Sequence, residues 1–140
     1  MFKYTGIIHV SAHEFFDILL QQICADINNK TGKNYDNKSI MNGCRYKVKK
    51  SRGTKTSEAI IEVRKPVLDR KVETHYSEAG RNYAMIYEIV EKGPQEIEVT
   101  YTQEDGREKS GKLASIYVSR TTKKRFKEFE KYIISSRQTK

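Results

Sequence analysis

The order in which two hydrophobic periodicities follow one another constrains this chain more than any single residue. A short two-residue alternation comes first, and a helical period follows it. Five more alternating stretches then run in hairpin order, and one long basic helical stretch ends the chain. Strands segregated from helices in this way imply an α+β fold: an antiparallel sheet with its helices on one side.

Phe2 to Val10 reads as the first strand. Phe2, Tyr4, Ile8 and Val10 share one face with Gly6 among them, and Lys3, Thr5 and His9 share the other. Ser11 and Glu14 then have the spacing of a capping box, in which each side chain satisfies an unpaired backbone N–H. Val10 before the cap and Phe15 after it can close as a hydrophobic staple. Phe15, Phe16, Leu19, Leu20, Ile23 and Ile27 recur at three- and four-residue steps, which marks a buried helix face. Asn28, Asn29 and Gly32 end it, and 33–43 is polar loop with room for one helical turn.

The strands that follow are expected at 45–50, 57–65, 70–77, 81–91 and 95–102. Ser51–Thr54, Glu78–Arg81, Lys92–Pro94 and Glu104–Arg107 supply turn chemistry between them. Pro66 must lie at a strand end or a bulge, because it cannot donate to a ladder. Tyr46 and Val48, Val72, Thr74 and Tyr76, then Tyr83, Met85, Tyr87 and Ile89, and finally Ile97, Val99 and Tyr101 fall on the inward faces. The last helix is predicted over 112–134, with Val118, Thr122, Phe126, Phe129 and Ile133 in phase.

At 140 residues the chain has the length of one domain, 1–140, and a chain this long can bury roughly two-thirds of its unfolded surface without a disulfide or a metal. Cys24 and Cys44 lack the spacing of a metal or redox motif. No apolar run approaches the ~20 residues of a membrane span, and no secretory leader precedes the first strand. Reduced cysteines and the lack of a leader point to the cytoplasm.

Catalytic motifs are sparse. Phosphate-binding glycine loops, H-E-x-x-H and G-x-S-x-G are all absent from the sequence. His9 and His13 straddle a strand-to-helix junction, so no one helix face carries both, and His75 is expected on the outer face of the sheet. Neither metal nor cofactor is expected. The formal net charge of +9 gathers in two places: Arg45, Lys47, Lys49, Lys50, Arg52 and Lys55, then Arg120, Lys123, Lys124, Arg125 and Lys127. Long basic side chains commonly lie along apolar surface with their heads in water. If the two clusters met in space they could hold phosphate groups, so nucleic acid is a minor alternative partner. Nine tyrosines with no tryptophan form the stronger bias. A phenol joins an apolar ring to a polar tip, which suits the lining of a site for an amphipathic ligand.

The segment Ile7-Ile-His-Val-Ser-Ala-His-Glu-Phe-Phe, the strand Ile97-Glu-Val-Thr-Tyr101 and the basic turn Arg120-Thr-Thr-Lys-Lys-Arg125 carry a resemblance that spans nearly the whole chain. The chain resembles the START-like superfamily, which includes polyketide cyclases and plant carriers of hydrophobic ligands, and within it a small uncharacterised bacterial family. The resemblance implies the helix-grip fold, a curved antiparallel sheet wrapped on a long C-terminal helix with a cavity between them. It brings no catalytic motif. The expected role is binding of a small apolar or amphipathic ligand without catalysis. Tyr46, Tyr76, Tyr83, Met85, Tyr87, Tyr101 and Tyr117 would line the site, with Arg120 as the anion partner. Two alternatives stand beside it: a cyclase- or hydrolase-like enzyme, which lacks a convincing base, and a basic interaction module for RNA or an acidic protein.

Overall fold

A lone strand that must pair far along the chain opens the fold. In the computed structural model, which describes residues 2–78, 80–105 and 112–137 (at positions 50, 52, 105 and 112–118 the backbone only), β1 (Phe2–Ile8) pairs with β6 (Glu96–Asp105). The alternation that predicts a strand to Val10 outlasts the ladder, which stops at Ile8. Val10 is nevertheless fully buried, as a staple residue must be. Helix α1 (Ala12–Thr31) then starts on a complete capping box: the Glu14 N–H donates to Ser11 Oγ and the Ser11 N–H to Glu14 Oε1, each at 3.1 Å. It ends at Gly32, whose φ of 73° is the left-handed cap that glycine adopts without strain.

The polar loop holds the one-turn helix α2 (Asn37–Ile40). Strands β2 (Cys44–Arg52), β3 (Lys55–Val63), β4 (Lys71–Glu78), β5 (Arg81–Gly93) and β6 follow, and every neighbouring pair is antiparallel. The first hairpin is tighter than its sequence suggests: Arg52 pairs with Lys55, and Gly53 supplies the positive φ, 64°, that a two-residue hairpin loop favours. Ladder β3 stops at Val63, so Pro66 lies beyond it and is spared a donor role.

The six strands form one curved sheet in the order β1-β6-β5-β4-β3-β2, which leaves β1 and β2 as its edges. Helix α3 (Lys112–Arg137) packs chiefly on β1 and α1. Among its expected core positions Thr122, Phe126, Phe129 and Ile133 are buried, whereas the Val118 side chain lies outside the described residues. Phe15 joins the layers: its ring meets Phe129 edge-on at 5.5 Å, Phe126 at 6.5 Å and Tyr87 at 6.3 Å. Sheet, α1 and α3 thus share one core, and among the described residues no helix is long and apolar enough to cross a membrane.

Candidate ligand site

Register sets the inner face of the sheet. Residues directly opposite on antiparallel strands point the same way. Tyr46, Ile61, Tyr76 and Tyr83 therefore form one row across β2 to β5, and Val72, Tyr87, Tyr101 and Tyr4 form another across β4, β5, β6 and β1. Between these rows, α1 and α3, a cavity of about 240 Å³ remains. Its apolar walls are Leu19 and Ile23 from α1, Val63, Val72 and Met85 from the sheet, and Phe129 from α3. Its polar groups are Gln22, Asp26, Thr74, Tyr46, Tyr76, Tyr87 and Arg125.

Four of the residues expected at the site meet there: Tyr46, Tyr76, Met85 and Tyr87. Tyr83 lies further toward the β4–β5 turn, stacked on Tyr76 with ring centroids 4.9 Å apart and planes within 5°. Tyr101 is buried behind the lining; it packs on Tyr87 at 4.9 Å and donates its hydroxyl to Gln103 Oε1 at 3.1 Å. The Tyr117 side chain lies outside the described residues. Arg120 is exposed and is not part of the lining.

The cation at the cavity is Arg125. Its Nη1 donates to the Tyr87 hydroxyl at 3.1 Å, and its guanidinium carbon sits 5.7 Å from the centroid of the Tyr101 ring. Helix geometry decides between the two arginines. At 100° per residue, Arg125 lies roughly 70° from the mean direction of Thr122, Phe126, Phe129 and Ile133, and Arg120 roughly 150° from it. Gln22 and Asp26 likewise flank the apolar stripe of α1, one turn apart. A search for inward apolar and aromatic positions passes over such flanking residues, although the helical phase contains them.

Burial raises the Tyr46, Tyr76, Tyr87 and Tyr101 hydroxyls above the ordinary phenol range. At Tyr46 the neighbouring Tyr76 and Asp26 push the same way; at Tyr87 the Arg125 charge opposes burial without overcoming it. These phenols are therefore neutral donors and acceptors at physiological pH, with no phenolate to act as a base. Arg125 loses hydration by burial, but the Tyr87 and Tyr101 oxygens outweigh that loss and hold it charged.

Two larger hollows, each about 470 Å³, lie outside the grip. One is an open dish on the outer face of the sheet, with Arg45, Glu62, His75 and Glu104 around it and Tyr83 at its rim. The other lies where Thr31 and Lys33 meet Arg45 and Lys47. Both are rimmed by charged side chains and lack the apolar enclosure that retains a small molecule. His75 faces outward, as its alternation requires, with Nε2 3.2 Å from Glu73 Oε1. Among the described residues no three metal-ligating side chains converge.

A family model described as "Domain of unknown function (DUF3284)" matches residues 2–121. No curated protein sequence matches the chain. Similar solved structures include a START superfamily protein from Mycobacterium smegmatis, 14% identical with a TM-score of 0.56, the match covering 95% of this chain and 96% of that one. Ara h 8.0201 is 12% identical with a TM-score of 0.54, over 96% and 97% of the two chains. The Zhui aromatase/cyclase from Streptomyces sp. R1128 is 7% identical with a TM-score of 0.50, over 96% and 90%. At these identities the likeness is one of fold: the chain has the START-like helix-grip fold.

Proposed function

The chain belongs to the DUF3284 family, and we propose that it binds a small apolar or amphipathic ligand, without catalysis, in the cavity between the sheet, α1 and α3. The observation that carries this reading is the lining itself: apolar walls from three elements, with phenol hydroxyls and one guanidinium placed among them. Such a site holds an apolar body by burial and orients it with a few hydrogen bonds. The neutral phenols support binding over catalysis, since none is activated to take a proton.

The volume limits the guest. A cavity of ~150 Å³ can hold benzene, and typical pockets for drug-sized ligands begin near ~300 Å³. At about 240 Å³ this cavity suits a ring with a short side chain. The test uses an environment-sensitive apolar dye with the native protein and with Met85→Trp, whose indole would occupy the cavity. Dye should bind the native protein and be displaced by small aromatic compounds, and Met85→Trp should remove binding while the circular dichroism stays native. Dye binding that appears only as the protein unfolds would overturn the reading.

A further inference from the structure

We infer that the cavity selects an acid: its ligand carries a carboxylate or similar anion that Arg125 receives at the mouth, while the apolar body lies against Ile23, Val72 and Met85. This rests on the ligand-binding reading above and narrows it to a chemical class.

Charge around the cavity is unevenly matched. Asp26 is the carboxylate of the lining, and it has a cation of its own, Lys30 Nζ at 3.1 Å, one turn along α1. Among the described residues the partners of Arg125 are neutral: the Tyr87 and Tyr101 hydroxyls and the Tyr101 ring. Among the described residues no carboxylate lies within ion-pair distance of it. An arginine on an exposed helix flank would ordinarily extend into water. This one is turned back over the cavity by a hydrogen bond and a ring face. A guanidinium has five N–H donors, of which the Tyr87 and Tyr101 hydroxyls engage only some. The rest remain for a planar anion, which a guanidinium takes in bidentate fashion. Tyr87 touches both the cavity and Arg125, so an anion at the fork and an apolar body beside the phenol are compatible in one small molecule.

The experiment titrates the protein with benzoate, phenylacetate and 3-phenylpropionate, each beside its matching alcohol, by calorimetry and amide chemical shifts. The best-fitting acid should bind about tenfold tighter than its alcohol, the scale of a charged hydrogen bond tempered by exposure at a mouth. That gap should narrow in high salt and close as pH falls through the acid's own pKa. Arg125→Gln should erase the gap, the acid losing more affinity than the alcohol. Arg125→Lys should keep part of it, and Arg120→Gln all of it. Alcohols that bind as tightly as acids, or a gap that survives Arg125→Gln, would sink the acid inference and spare the cavity. If neither class binds, the cavity reading falls with it.

Discussion

Phe129 and Gly6 mark how closely α3 is held. Phe129 is 5% exposed and meets Phe15 edge-on, so Phe129→Ala should cost about 3–5 kcal/mol in urea melts. A loss under about 0.5 kcal/mol would mean that this face of α3 is not packed as described. Gly6 faces the same helix. A Cβ there would come within 3.1 Å of Phe126 and 3.2 Å of Tyr4, so Gly6→Ala should destabilise by about 1–3 kcal/mol, although alanine ordinarily suits a strand better than glycine does. An unchanged melt would show that the two rings can yield. Phe129 was legible in the sequence, because a period of 3.6 survives any tertiary arrangement. Gly6 was legible only as a gap in an alternation; its reason is a ring 120 residues away in sequence. The inward tyrosines stand midway. Alternation gives the face each one takes, but only the strand order and the helices packed over it separate Tyr87 at the cavity from Tyr101 behind it.

The two long helices are clamped where α1 begins and α3 ends. Glu14 completes the capping box of α1 and also takes the Arg137 guanidinium, with Nε at 2.6 Å from Oε2 and Nη2 on Oε1. Arg137 reaches Gln95 as well, so the β5–β6 turn, α1 and α3 meet at one point. The Arg137 hydrogen bond lowers the Glu14 carboxyl from its ordinary 4.5 to about 2; burial opposes it, and the Ser11 contacts assist. A carboxyl whose folded pKa lies below its unfolded one contributes stability above the unfolded value, and loses it as pH falls through the folded value. The clamp should therefore weaken between pH 4.5 and about 2. Glu14→Gln keeps an acceptor for the Ser11 N–H and removes the charge. Its melts should differ from the native ones at neutral pH and converge on them toward pH 2, with the difference reduced by salt because both partners are partly exposed. Parallel curves across the whole range would show that the pair contributes nothing. The sequence carried half of this arrangement: a capping box is a local pattern, whereas a partner 123 positions away leaves no trace in it.

At the scale of the molecule, sheet order bears on how the two basic clusters could act together. Arg45, Lys47 and Lys49 lie on β2, one edge of the sheet; Arg120, Lys123, Lys124 and Lys127 lie on α3, which packs toward β1 at the opposite edge. The sequence could place each cluster on its element, but not the elements relative to one another. That relation depends on β1 crossing over to pair with β6. With +9 net charge the protein should still attract polyanions weakly, through counterion release at each cluster separately. Binding to heparin should fall with salt on a shallow slope. Charge reversal at Lys47 and Lys49 and at Lys123 and Lys124 should each weaken it, and the combined variant should show the sum of the two effects, as independent sites do. A combined loss well beyond that sum would mean that one ligand bridges both clusters. Polyanion binding would then be a surface function of the fold in its own right, beside whatever the cavity holds.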